Sequence, residues 1–319
     1  MRLPNGSRIL QKGKAAAMDH IAFASDDRRF GYDVHPAGQD AADIEAGMQR
    51  GRGYGRLDVT GGANGNRVLE LVQRSPVRIM LPTIEGRDAG EAVIINTGGG
   101  VTGGDQLDYQ FAAVAGARIV LTTQAAEKLY RAIGLKARIS TRITVSGDSM
   151  LAWLPQESIV FNGAQIDRRM EIDIVTGAEV IAAEFLVLGR AAHGERLSMA
   201  NVSDRWRVRL DGRLIWADTF RLTPETIPHL QRKALLAGCN AIATLVYSGS
   251  QVDALQSLLR RLSLPSQTRI GATCVNGLLV VRIAAESAAM LKAAAVATLE
   301  LFSQTLRPGS IRVPRMWSC

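Results

Sequence analysis

The sequence predicts a mainly β protein with two α-helices in its C-terminal third. Short apolar runs follow one another from Gln49 onward, Gly, Pro, Asp or Asn bounds most of them, and almost no helical periodicity separates them. Strand after strand without intervening helices excludes an alternating βαβ fold and favours a large antiparallel or coiled β assembly. With 319 residues, of which 47% are hydrophobic, the chain can bury a core of that size.

The chain divides into an extension and a domain. Residues 1–48 show no sustained period and are turn-rich, which predicts a poorly ordered N-terminal extension. Residues 49–319 are predicted to form the β-rich domain. Its predicted strands include residues 69–73, 77–81, 91–96, 107–114, 117–123, 137–145, 150–155, 169–175 and 179–187.

Turns and helices follow in the C-terminal part. Asp211-Gly212 predicts a type I′ turn between two alternating runs, and Asn276-Gly277 predicts a second hairpin. Apolar residues at helical spacing predict a helix over 252–262. The alanine-rich run 287–306, ended by Pro308-Gly309, predicts the other.

Composition narrows the class of protein. Three cysteines without a CxxC motif favour a reducing compartment, so we expect a cytoplasmic protein. No apolar stretch approaches the ~20 residues that span a bilayer, so no membrane partner is expected. The net charge of +8 suits an acidic partner surface, but no run of five basic residues occurs, and nucleic-acid binding is not predicted.

A glycine-rich segment covers Gly98 to Asp105. It lacks the lysine of a phosphate-binding loop, and the residues that follow it alternate like a strand, whereas a dinucleotide-binding loop precedes a helix. The glycines permit positive φ or close backbone packing. Asp105 is therefore either a functional carboxylate or the cap of a tight turn, and both interpretations stay open.

Three further segments concentrate polar side chains. They are 122–131 (TTQAAEKLYR), 153–164 (WLPQE followed by FNGA after three residues) and 189–195 (GRAAHGE). A helical turn in the first would bring Glu127 near Arg131. Glu157 and Glu195 could join Asp105 in acid–base chemistry or hard-metal binding, although Arg190 could simply pair with one of them.

In their order and spacing the four segments resemble the urease accessory protein UreD family, called UreH in some systems. The resemblance covers about residues 49–319 and includes the C-terminal Pro314-Arg315-Met316-Trp317. One departure is that the family often has His-Pro-Pro where this chain has Asn96-Thr97-Gly98, so a histidine role cannot be transferred. Asn96 keeps only its hydrogen-bonding capacity.

The resemblance implies a helically wound β fold and a non-enzymatic maturation factor. Such proteins bind the urease apoprotein and a UreF–UreG pair, in which UreG is the GTPase, and assist nickel insertion through an internal polar passage. No tightly bound cofactor is implied, only transient Ni²⁺. Because a passage must release the ion, scattered carboxylates suit it better than a His/Cys cage. Our candidates for the passage or partner site are Asp105, Gln124, Lys128, Glu157, Arg190 and Glu195, with Asp105, Glu157 and Glu195 as hypothetical transient metal ligands.

Two other functions compete with this one. A β-helical hydrolase could use Glu157 and Glu195 as a carboxylate pair, but the low aromatic content, 5%, argues against a sugar-binding cleft. A basic nucleic-acid-binding protein is weaker still, because aromatic stacking motifs and Lys/Arg clusters are missing.

Overall fold

The strands form two sheets that face each other across a shared core. The computed structural model describes residues 50–62, 65–82 and 89–318. The strands of the first sheet are β1 (Arg52–Gly62), β2 (Gly65–Arg74), β5 (Gln106–Val114), β8 (Ala137–Val145), β11 (Gln165–Ile174), β13 (Asn201–Leu210) and β14 (Arg213–Leu222). Their spatial order is β14-β13-β11-β8-β5-β1-β2.

The second sheet lies across the core from the first. Its main strands are β3 (Val77–Met80), β4 (Gly90–Asn96), β6 (Arg118–Thr123), β9 (Met150–Leu154), β12 (Glu179–Leu188), β15 (Ala241–Ser248), β16 (Thr268–Val275) and β17 (Leu278–Ala285), in the order β16-β17-β15-β12-β9-β6-β4-β3. Two short strands, β7 (Glu127–Leu129) and β10 (Ser158–Val160), branch from β12.

The chain winds from one sheet to the other. Along the sequence, β4, β6, β9 and β12 of the second sheet alternate with β5, β8, β11 and β13 of the first. One strand of the second sheet and the next strand of the first make one coil, and within each sheet the strands of successive coils pair in parallel, up to β12 and β13. Antiparallel pairing is confined to the ends of the sheets. Of the two predicted arrangements the coiled one is therefore correct, and the helically wound β fold is confirmed.

Alternating burial explains why these sequences form coils. In β11 every second residue from Ile166 to Ile174 is buried, while the residues between them face outward. The inward residues of both sheets form one apolar cluster. The predicted type I′ turn at Asp211-Gly212 and the predicted hairpin at Asn276-Gly277 are confirmed, because Asp211 (φ 50°), Gly212 (φ 78°), Asn276 (φ 49°) and Gly277 (φ 78°) all have positive φ.

Both predicted C-terminal helices are confirmed, as α1 (Val252–Leu259) and α2 (Ala288–Thr305). Their apolar faces pack against the outer side of the second sheet in a second apolar cluster. Short 3₁₀ turns occur at Ala191–His193, Ile227–His229 and Arg315–Ser318. Among the described residues, no helix is long and apolar enough to cross a membrane.

The C-terminal residues return to the middle of the chain. The Trp317 indole packs edge-on against Phe185, with ring centroids 5.3 Å apart, and its N–H donates to the Leu154 carbonyl at 3.3 Å. The Gln156 side chain donates to the Met316 carbonyl at 2.6 Å. The last turn therefore covers the third coil, at the end of β9. The predicted N-terminal extension, residues 1–48, lies outside the described residues.

Candidate functional site

The four polar segments lie side by side. Val101 of the glycine-rich segment bridges in parallel to Leu129 of β7, β7 pairs with β10, and β10 pairs with β12. We call this set of neighbours the side layer: residues 98–105, 127–131, 157–163 and 186–195. Segments that are far apart in sequence thus form one continuous surface, because each coil contributes one of them.

The glycines in the first segment allow close packing. Gly100 has φ 148°, and a Cβ atom there would lie 2.3 Å from Cε2 of Tyr130 and 2.7 Å from the Lys128 carbonyl oxygen. A Cβ atom on Gly103 would lie 2.5 Å from the Leu135 carbonyl oxygen. The segment leads into β5 and not into a helix. These glycines therefore bring backbones together, and the exclusion of a nucleotide loop agrees with the geometry.

Asp105 holds the end of that segment. Its Oδ1 accepts a hydrogen bond from the Gly51 N–H at 2.7 Å, and its Oδ2 accepts one from the Thr102 N–H at 2.8 Å. Both carboxylate oxygens therefore cap backbone donors, as the turn interpretation requires. A role for Asp105 in binding nickel stays a prediction.

Glu127 begins β7 and points toward Asn96. Because β7 is extended, the helical pairing of Glu127 with Arg131 is wrong. Instead, Nδ2 of Asn96 donates to both Glu127 carboxylate oxygens, at 3.0 and 3.1 Å. Burial raises the pKa of Glu127 from 4.5 to about 7; the Asn96 bond opposes the rise and nearby Asp105 adds to it. This group exchanges its proton near neutral pH.

Arg190 and Glu195 form a pair at the opposite border of the side layer. The Arg190 Nε and Nη2 atoms donate to the two Glu195 oxygens at 3.0 and 3.1 Å, and the guanidinium lies 4.1 Å from the Phe161 ring centroid. Arg190 lowers the pKa of Glu195. A carboxylate kept ionised in this way is unsuited to be the general acid of a glycosidase, which counts against the hydrolase alternative. The same loop borders an open pocket of about 750 Å³.

The other predicted site residues lie around the edge of this layer. Gln124 and Lys128 are exposed. Glu157 is half-buried beside Lys292 and Trp317, and its carbonyl accepts the Glu127 N–H at 2.9 Å. Within the described ranges no three Asp, Glu, His or Cys side chains gather into a metal cluster.

A charged network inside the core was missed by the sequence analysis. Arg168, 4% exposed, reaches from the first sheet to Glu184 in the second, with Nη1 2.6 Å from Oε2. Its Nη2 donates to Oδ2 of Asp204 at 2.6 Å. The Trp153 indole donates to the other Glu184 oxygen at 3.0 Å, and Ser158 accepts a bond from Arg168 at 3.2 Å. Two buried carboxylates therefore share one guanidinium.

This network holds two carboxyl groups and one guanidinium. Burial raises the pKa of Glu184; the attraction of Arg168 opposes that rise, and the nearby carboxyl group of Asp204 adds to it. Oδ1 of Asp204 is buried and has no hydrogen-bond partner among the described residues. Burial also raises the pKa of Tyr109, and both Glu127 and Glu184 add to that rise. The phenol therefore lies within electrostatic range of the side layer and of the buried network.

The sequence does contain a signal for this network. Arg168 and Asp204 fall on the buried phase of β11 and β13, between apolar residues two positions before and after each. Glu184 interrupts the apolar run 180–188. Charged residues at core positions are expected to be paired or functional. The position of each of these three residues among inward-facing apolar neighbours would therefore have identified all three as candidates.

Comparisons with the sequences of known proteins identify the family of this chain. The family model described as UreD urease accessory protein matches residues 51–318. The urease accessory protein UreD of Chelativorans sp. (strain BNC1) is 38% identical over 273 residues, which cover 86% of this chain and 96% of that protein. UreD 2 of Methylorubrum populi is 40% identical over 84% of this chain and 91% of the relative, and UreD of Rhizobium johnstonii is 40% identical over 85% and 96%. All three are named as accessory proteins. The chain therefore belongs to the UreD urease accessory protein family.

Proposed function

We propose that this chain is a non-enzymatic, cytoplasmic maturation factor. It binds the urease apoprotein and a UreF–UreG pair and assists nickel insertion, with Ni²⁺ passing along the buried charged groups between the two sheets. Membership of the UreD family supports the role in urease maturation. The chain has no phosphate-binding loop of its own, which fits a division of labour in which UreG binds GTP.

The observation that carries the proposal is the buried pair of carboxylates that share Arg168. Glu184 and Asp204 each lie 2.6 Å from it, so one guanidinium faces two carboxyl groups inside the core. An unbalanced buried charge is costly unless a counter-charge is supplied. A divalent cation that reaches Oδ1 of Asp204 would supply that charge, which gives the interior a reason to attract the ion.

The carboxylate groups of the interior suit the passage of Ni²⁺ better than its storage. Ni²⁺ binds tightly to imidazole and thiolate groups, whereas isolated carboxylates hold it more weakly. The interior offers Glu127 at the side layer and then Glu184 and Asp204, with Tyr109 in electrostatic range of the first two. Glu127 on β7 and Glu184 on β12 are separated by β10, so an ion would be released from one carboxylate before the next one held it.

The carboxylates predicted from the sequence fit the borders of this route. Asp105 and Glu195 already accept two hydrogen bonds or more, so displacing their donors would cost free energy before a metal bound. Glu157 keeps its place near Glu127 through its backbone carbonyl. We therefore assign the passage mainly to Glu127, Glu184 and Asp204. The three predicted carboxylates keep a part at the borders, each testable by replacement with alanine.

The test is nickel delivery by chains that keep their partners. The Asp204→Asn and Glu184→Gln variants keep side-chain size while removing charge; Asp253→Asn, on the exposed face of α1, is the matched control. Each would be expressed with the urease gene set, and the nickel content and activity of purified urease measured alongside co-purification of apo-urease and UreF–UreG. We expect both core variants to bind partners but to load little nickel. Full nickel loading by both core variants would remove the interior passage from the proposal, and failure of the wild-type chain to bind either partner would remove the scaffold role.

A further inference from the structure

The outer face of the first sheet is a flat array of side chains in register. Because β5, β8, β11 and β13 pair in parallel without a shift, their outward residues align in rows across the strands. One row contains Gln110, Arg142, Glu171 and Arg207, and the row two outward positions earlier contains Gln106, Arg138, Asp167, Ser203 and, from β14, Arg221. Each row is a straight line of polar groups about 4.8 Å apart.

This face carries an excess of positive charge. On β8, β11, β13 and β14 the outward arginines are Arg138, Arg142, Arg169, Arg205, Arg207, Arg209 and Arg221. The outward carboxylates of the same strands are Asp167, Glu171 and Asp173. Seven positive groups against three negative ones leave four positive charges in excess, which is half of the net charge of +8 of the whole chain.

The three carboxylates already have partners on the sheet. Asp167 accepts bonds from both Arg169 and Arg205, and the latter two lie beside each other in register. Glu171 lies 3.8 Å from an Arg142 nitrogen and Asp173 lies 3.6 Å from an Arg209 nitrogen. Arg207 and Arg221 are exposed, and neither forms an ion pair with any described residue. Positive charge on this face therefore exceeds what the sheet itself neutralises.

No other described element covers this face. Both helices pack on the second sheet, and parallel sheets are ordinarily covered on both sides. Seven strands spaced ~4.8 Å apart, each about ten residues long, give a face of roughly 30 by 30 Å, close to the ~800 Å² that one partner contributes to a standard interface. The face is large enough for specific docking.

The arrangement of charge selects the kind of partner. Carboxylates stand between the arginines, and no outward residue of β8, β11 or β13 is aromatic, so the face lacks a stacking platform and would repel a continuous phosphate backbone at several points. A folded protein with an acidic surface can instead place single carboxylates opposite single arginines.

We propose that the outer face of the first sheet docks an acidic surface of a protein partner in urease maturation, with Arg207 and Arg221 as its unneutralised contacts. This inference rests on the proposed function for the identity of the partners. Binding through such a face is driven by charge and weakens as salt screens it.

The test compares two charge reversals of equal size. The R207E/R221E variant reverses the face, and R261E/R307E reverses two exposed arginines near the helices as the matched control. Wild type and variants would be immobilised, and their dissociation constants for purified apo-urease and for the UreF–UreG complex measured at about 0.05 and 0.5 M NaCl. We expect R207E/R221E to weaken binding of one of the two partners by roughly tenfold or more at low salt, and the control by less than about threefold.

The remaining outcomes separate the inference from the function on which it rests. If wild type binds a partner and R207E/R221E binds it equally well, the docking face is wrong and the maturation role stands. If wild type binds neither partner, both are wrong. The milder R207Q/R221Q variant, checked by circular dichroism, should weaken binding to an intermediate degree; no weakening in a folded R207Q/R221Q would also overturn the docking face. A labelled 20-base-pair DNA or RNA duplex bound tightly by wild type and lost in R207E/R221E, with protein binding unchanged, would overturn the choice of a protein partner.

Discussion

Replacing Glu127 by glutamine should change how the stability of this protein depends on pH. Burial raises the pKa of Glu127 in the folded state to about 7, whereas the unfolded chain keeps a value near 4.5. As pH rises from 4.5 to 7, the unfolded state loses the proton first and the folded state keeps it. The unfolded state then binds fewer protons, so the free energy of unfolding falls across this window.

The size of the effect follows from the same two values. A pKa raised from 4.5 to about 7 corresponds to about 3 kcal/mol of stability lost by wild type above pH 7. Glutamine has no charge to lose, but it keeps only one acceptor for Asn96 and forfeits a bond of about 1 kcal/mol. The Glu127→Gln variant should therefore be about 2 kcal/mol more stable than wild type at pH 8. Near pH 5 the two proteins should differ by less than about 1 kcal/mol.

Urea unfolding followed by tryptophan fluorescence at pH 5, 6, 7 and 8 measures this difference. Other groups titrate equally in both proteins, so the difference between the two curves isolates Glu127. Glu195→Gln is the control: its carboxylate has a pKa in the folded state that is lowered from the usual 4.5, so its titration lies below this pH range. The difference in stability between Glu195→Gln and wild type should therefore stay nearly constant from pH 5 to 8. A Glu127→Gln difference that stays constant from pH 5 to 8 would refute the reasoning, because it would mean that Glu127 ionises normally in the folded protein.

Three further substitutions test the packing. Arg168→Met should destabilise the protein by roughly 3–5 kcal/mol, because it leaves two buried carboxylates without their cation; urea unfolding at pH 7 checks this, and a loss below about 1 kcal/mol would contradict it. Alanine is strained at both Gly99 and Gly100 because both have positive φ, but Gly100→Ala should lower the midpoint of thermal unfolding more than Gly99→Ala, because only at Gly100 does the added methyl also clash with Tyr130; equal shifts would show that close packing is unimportant there. Trp317→Ala should cost about 3–5 kcal/mol by the loss of a buried indole, while the exposed Ser318→Ala should cost almost nothing; a tail that is dispensable for stability would give the same urea midpoint for both.

Much of the fold follows from local sequence. Short apolar runs with turn residues at their ends predicted most strands. The dipeptides Asp211-Gly212 and Asn276-Gly277 predicted both hairpins, and the positive φ angles of these residues agree. Strand β1 was missed because it contains Gly53, Gly55 and Gly61, which read as loop residues. The structure gives the reason for the first two: a Cβ atom on Gly53 would lie 2.6 Å from Val77, so β3 can cross the inner face of β1 only where side chains are absent.

Less of the site could be predicted. The four polar segments were found, but their alignment depends on β7 and β10, which are three residues long and are defined only by pairing with distant strands. A three-residue extended stretch has no periodicity to detect. For the same reason the sequence offered Glu127 only a local partner, Arg131, through a helical turn, whereas its partner in the structure is Asn96, 31 positions earlier.

The return of the C-terminal turn to the middle coil has a consequence for the newly made chain. The bonds that Gln156 and Leu154 form with the last turn join residues 160 and 163 positions apart. Successive coils can stack as each leaves the ribosome, since each needs only its predecessor. The closing turn, however, follows all the strands along the chain, so it can contact Leu154 and Gln156 only after the strands between them have been made. This contact is therefore formed late, and a chain that ends before Arg315 would leave the third coil uncovered and more open to proteases than a chain that includes the turn.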